Sequence, residues 1–90
     1  MRYAARVDAN QPEIVAALRQ IGASVELLHM VGHGVTDLLV GYHGHNILLE
    51  IKYGAGTLTP DQIEWHAAWR GQVTIVRTVQ QALAYVESYR

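Results

Sequence analysis

Ninety residues, half of them hydrophobic and only 17% charged, make a single folded domain spanning 1–90, with no room for a second and no disordered character. The formal net charge of −1 lacks the global basic signature that advertises nucleic-acid binding. Any DNA contact must therefore come from local patches, bound cations or an oligomer. There is no cysteine, which excludes disulfides, thiolate metal sites and a cysteine nucleophile, and suits a reducing, cytoplasmic setting.

The N-terminal MRYAARVDANQPE has no apolar run of signal-peptide length, and no stretch approaches the roughly eighteen apolar residues of a membrane span, so a soluble, untargeted chain with no membrane partner is expected. No repeat or low-complexity linker interrupts it. In NQPEIVAALRQIG, Ile14, Ala17, Leu18 and Ile21 follow the spacing of an amphipathic helix, with Pro12 near its start and Gly22 past its end. ASVELLHMV reads as a strand closed by Gly32 and Gly34. TDLLVGY and NILLEIKY read as a hairpin around His43-Gly44-His45. After GAGT, a loop read as mobile, TPDQIEWHAAWRG predicts a helix capped by Thr59, with Pro60 in its first turn and Gly71 ending it. QVTIVRT is a short β-branched strand, and VQQALAYVESY a closing helix with Ala82, Leu83 and Val86 inward. The order is α-β-β-β-α-β-α, an α/β fold with a mixed central sheet flanked by helices.

The hairpin carries the functional signal, because strand interiors disfavour the charged residues found there. Alternation puts Glu50 and Lys52 on one face and Ile47, Leu49, Ile51 and Tyr53 on the other. Asp37 shares a face with Leu39 and Gly41, and loop parity decides whether it meets Glu50 and Lys52. A two-residue turn at His43-Gly44 sets Asp37 opposite Glu50, and a four-residue loop over 43–46 sets it opposite Lys52. Either clusters all three; an odd loop parts them.

Two carboxylates facing each other repel unless something neutralises them, and a hard divalent cation does so with oxygen ligands. Asp37 and Glu50 suit that role, and the Ile51 carbonyl offers a third oxygen. Lys52 would then stand beside a metal-bound water or a phosphate. These are the parts of metal-assisted phosphodiester hydrolysis. Glu-x-Lys alone is common by composition; the rarer feature is its combination with a glycine turn and an Asp opening the preceding strand.

GVTDLLVG followed by LLEIK resembles the PD-(D/E)XK nuclease superfamily, and the compact format with LTPDQIEWH downstream resembles the small phage-type VRR-NUC nucleases. The resemblance covers nearly the whole chain and implies a restriction-endonuclease-like α-β-β-β-α-β core. It implies a Mg²⁺- or Mn²⁺-dependent endonuclease on DNA, such as junctions, flaps or nicked duplexes, without an organic cofactor, in a bacterial or phage-infected cell. Carried onto this chain, it makes Asp37 and Glu50 the metal ligands, Lys52 the catalytic lysine, Glu13 a further ligand from the first helix, and Gln62 a site residue. The family's proline before the aspartate is Thr36 here. Cutting two strands needs two sites, so a homodimer is the expected assembly.

Plainer readings stand beside these. Asp37, Glu50 and Lys52 are alternatively a surface salt-bridge group. Glu13 and Gln62 each sit at capping-box spacing, after Asn10 and Thr59 respectively. The five histidines invite zinc, but His29, His33, His43 and His45 lack structural ligand spacing, and phosphate contact suits His33, His43 and His45 better. Trp65, Trp69 and Ile63 are expected to pack the second helix on the sheet, and Arg2, Arg6, Arg19, Arg70 and Arg77 to form a solubilising surface. A non-catalytic nucleic-acid-binding or assembly subunit with a degenerate nuclease fold is the competing function; a structural dimerisation module is a third.

Overall fold

The computed structural model describes residues 8–90. Arg2 and Arg6 lie outside them. The elements are α1 (Gln11–Gln20), β1 (Ser24–Leu27), β2 (Leu38–Tyr42), β3 (His45–Ile51), α2 (Pro60–Ala68), β4 (Thr74–Val76) and α3 (Val79–Glu87), in the order expected from the sequence. They form an α/β fold around one four-stranded mixed sheet ordered β1-β2-β3-β4, antiparallel except for the parallel β3–β4 pair.

One face of the sheet builds the core. Val25, Leu38, Val40, Ile47, Leu49, Ile51 and Val76 alternate inward and meet Ile14, Val15 and Leu18 of α1 with Ala82 and Val86 of α3. Leu83 packs at the margin of this cluster. Asn10 ties α1 to the sheet through its Nδ2, which donates to the carbonyls of Lys52 at 3.3 Å and Arg77 at 2.9 Å. The expected capping box therefore does not form, since the Asn10 side chain makes no cap bond.

The opposite face carries α2 alone, and α2 buries none of its residues. Its expected apolar packing is only partial: Ile63 is 56% and Trp69 44% exposed, while the Trp65 and Trp69 rings stack on each other at 4.8 Å. Polar contacts attach it instead. Thr59 and Gln62 make a full capping box, and Trp69 leaves the helix in an extended conformation so that its indole Nε1 donates to the Gln72 carbonyl at 3.1 Å. The helix thus ends at Ala68, short of Gly71. Gln72 in turn imitates a strand residue, with its Oε1 accepting from the Leu48 amide and its Nε2 donating to the Leu48 carbonyl, both at 2.8 Å.

Three further expectations change. Tyr53 does not join the core face but is 62% exposed, because β3 ends at Ile51. The 54–56 loop is pinned, for Arg77 Nη1 donates to the carbonyls of Gly54 at 2.8 Å and Gly56 at 2.7 Å. Arg77 and Arg19, which donates to the Val25 carbonyl, are therefore backbone clamps rather than mere solubilising charges. Among the described residues no helix is long and apolar enough to cross a membrane.

Gly34 fixes how closely α2 approaches. At φ +80°, a Cβ there would stand 2.3 Å from the Asp61 carbonyl oxygen, whereas Gly44 at φ +81° has open space around it. Gly44→Ala should carry only the left-handed penalty of about 1–2 kcal/mol. Gly34→Ala should cost clearly more and loosen α2; urea denaturation of both variants measures the difference.

Candidate active site

The hairpin turn has two residues, His43 at φ 50° and Gly44 at φ 81°, both in the left-handed region that a tight, twisted hairpin requires. Parity is thereby even. Leu38 pairs with Leu49, so one step further Asp37 faces Glu50, with Lys52 on the same side. The Asp37 backbone is held by the Leu28 amide, which donates to its carbonyl at 2.7 Å.

Side chains then lock the group. Asp37 Oδ2 accepts from the Ile51 amide at 2.7 Å. A residue in an antiparallel ladder uses its N–H and C=O on the same edge of the strand, so the Ile51 carbonyl projects towards the Asp37 side as well. Gln62 reaches down from α2 and bonds in two directions. Its Oε1 accepts from Lys52 Nζ at 2.7 Å and from the Thr59 amide at 2.9 Å, while its Nε2 donates to Glu50 Oε2 at 3.1 Å. Capping and site contact are thus one role: the amide that closes the helix start also spans acid and amine.

Burial decides the electrostatics. Glu50 is 1% and Lys52 8% exposed, which excludes the solvent-facing salt-bridge reading. Loss of water around Glu50 is the main cause that pushes its carboxyl up to about 9, and the neighbouring Asp37 adds to it. Asp37 is raised too, again chiefly by burial. The Lys52 ammonium, 3.8 Å from Glu50 Oε2, pulls the other way without cancelling the desolvation. Near neutral pH the isolated pair therefore retains a proton between its members.

These groups line a cleft of about 270 Å³ together with Asp8, His29, His33, Asp61 and Thr59. Glu13 is exposed and is not among the cleft residues; Asp8, two residues before Asn10, is the N-terminal acid whose field reaches both Asp37 and Glu50. His33 stands at the cleft, but His43 and His45 sit at the far end of the hairpin, about 17 Å away for a five-residue strand. Thr36 is fully buried with its hydroxyl unpartnered. Sequence reasoning missed Asp8 and also His66, whose Nε2 lies 3.6 Å from Glu50 Oε1. The available signal for His66 was its position one helical turn after Gln62.

The donor chemistry suits a hard divalent cation: two desolvated carboxyls that resist ionisation together, one of them with an oxygen shut from solvent and unpartnered. Among the described residues no set of three or more His, Asp or Glu side chains converges as a metal centre. A zinc cluster of histidines is accordingly absent there. A cation at Asp37 and Glu50 would complete its shell from the Ile51 carbonyl, water and substrate.

No family model, curated protein or solved structure matches this chain.

The raised carboxyls have a pH consequence with a definite sign. Glu50 binds its proton more tightly folded than unfolded, so its contribution to stability is present below its ordinary value of 4.5 and is lost as pH rises towards about 9. Denaturant unfolding in chelator should show stability falling steadily over that window. Glu50→Gln should flatten the profile, and added Mg²⁺ or Mn²⁺ should offset the loss in the unmodified protein.

Proposed function

We propose that the chain is a divalent-cation-dependent nuclease of the PD-(D/E)XK type, similar to the small VRR-NUC enzymes, that hydrolyses DNA phosphodiester bonds. The observation that carries this reading is the meeting of Asp37, Glu50 and Lys52 at one end of the sheet, tied together by Gln62. The α-β-β-β-α-β order around a four-stranded mixed sheet suits a restriction-endonuclease-like core.

Asp37 and Glu50, with the Ile51 carbonyl, would hold Mg²⁺ or Mn²⁺. Such an ion polarises a phosphate and lowers the pKa of bound water. The protein's own groups do the rest. Lys52 directs its ammonium at the attacking water and at charge developing on the phosphate, and Gln62 keeps that ammonium in place while holding Glu50. Water adds to phosphorus and releases a proton to solvent, the bond to the leaving sugar oxygen breaks, and solvent returns a proton to that oxygen.

The acidity of the cleft supports cation dependence independently. Asp8, Asp37, Glu50 and Asp61 all line it against the single lysine Lys52, so a phosphate entering alone meets net repulsion. A two-fold dimer would offer one site to each strand of a duplex, and suits substrates such as junctions, flaps or nicked DNA. The competing reading, a non-catalytic nucleic-acid-binding or assembly subunit, is favoured by Thr36 in place of the family's proline, by the lack of net positive charge, and by Glu13, which the resemblance makes a metal ligand but which is not among the cleft residues.

Cleavage of DNA with Mg²⁺ or Mn²⁺, and none in chelator, is the expected result. Lys52→Ala should lower the rate by roughly 10²–10³-fold, the loss typical of removing one electrostatic stabiliser, with circular dichroism unchanged. Asp37→Asn should be at least as severe. Binding without cleavage would favour the non-catalytic subunit, and turnover surviving both substitutions would remove the site.

A further inference from the structure

Gln62 satisfies one oxygen of Glu50 and leaves the other. Oε2 accepts from Gln62 Nε2, whereas Oε1 is shut from solvent without a hydrogen-bond partner. Facing Oε1 at 3.6 Å is Nε2 of His66, itself shut from solvent and unpartnered. That separation is too long for a hydrogen bond, yet closing it by roughly half an ångström would make one. Two buried polar atoms that each lack a partner, aimed at each other, are destabilising as they stand.

The chemistry of the two groups assigns donor and acceptor. A neutral imidazole has one N–H and one bare nitrogen, and it is Nε2 of His66 that faces Oε1 of the carboxyl. A carboxyl oxygen accepts from an imidazole N–H, so a proton on Nε2 would satisfy both atoms at once. Gln62 and His66 lie four residues apart on the same face of α2 and reach the same carboxyl group.

We propose that His66 is a positioning residue for Glu50, carrying its proton on Nε2 and donating it to Oε1, so that α2 grips both carboxyl oxygens, Gln62 one and His66 the other. The consequence for cation binding rests on the function proposed above; the contact itself does not. Partners that orient a ligating side chain tune its affinity for the ion without touching it. His66 acts through Glu50 in this way.

The test uses the intact chain and Mn²⁺ alone as the probe, with affinity read by electron paramagnetic resonance. His66→Leu, which keeps the volume and removes the donor, should weaken binding by about tenfold with circular dichroism unchanged, and His66→Gln, whose amide reaches as far, should restore it to within about threefold. Wild-type affinity in His66→Leu, or equal weakening in both variants, would overturn the proposal. Long-range ¹H–¹⁵N spectra of the metal-free protein at neutral pH supply a second arm. They should show His66 as the Nε2–H tautomer, and an Nδ1–H tautomer would overturn the proposal whether or not any ion binds. If the unmodified protein binds no Mn²⁺, the cation reading falls and the tautomer alone decides the contact.

Discussion

A carboxyl group buried to within 1% of full enclosure, on a strand whose other face is the protein's core, is the constraint around which the site is organised. Moving a carboxylate out of water costs several kcal/mol unless it is protonated, paired or bound to a cation. Glu50 meets that demand in part by all the routes open to side chains: a proton held with Asp37, a hydrogen bond donated by the Gln62 amide, and an ammonium within reach. β3 makes this geometry stiff. Ile47, Leu49 and Ile51 are fully buried between the helices on one face, so Glu50 and Lys52 on the other cannot drift without disturbing the core.

The same constraint explains why α2 stays where it is. A helix that buries none of its residues receives little hydrophobic stabilisation. It is attached instead through Gln62 and the Gly34 approach at one end and through Trp69 on Gln72 at the other. The site and the helix therefore stabilise each other: the polar cluster holds α2, and α2 covers the cluster from water. Removing water is also what raises the carboxyls, so cover and electrostatics are one physical event.

Local patterns were legible in the sequence; partners distant along the chain were not. Helix and strand periods, the cap at Thr59 and the hairpin itself follow from spacing within a dozen residues. Pairing of Asp37 with Glu50 was legible up to one unknown, the parity of the turn, and the left-handed His43-Gly44 pair resolved it. Asn10 misled because its spacing to Glu13 promised a cap, while its amide instead serves carbonyls 42 and 67 positions away. Capping and long-range anchoring use the same short polar side chain, and spacing cannot separate them. Gln62 was legible as a cap from its spacing to Thr59, but that the same amide also reaches Glu50 and Lys52 is not something spacing shows. Arg77 looked like surface charge because its acceptors are backbone carbonyls, which every sequence supplies equally.

Charge counting links these features to the chemistry proposed. With one proton shared by Asp37 and Glu50, the acids carry a single negative charge that the Lys52 ammonium balances, and the cluster is close to neutral. Were the proton replaced by a divalent cation, both acids would ionise and the cluster would carry one net positive charge, matching the single negative charge of a phosphodiester. The protonated cluster has no such attraction to offer, and Asp8 and Asp61 at the cleft wall tip it towards repulsion. Affinity for the substrate phosphate and affinity for the cation would then be coupled through the same two carboxyls, each ligand improving the site for the other. A domain with a net charge of −1 could in that way attract a polyanion at one point of its surface while the rest remains indifferent to it.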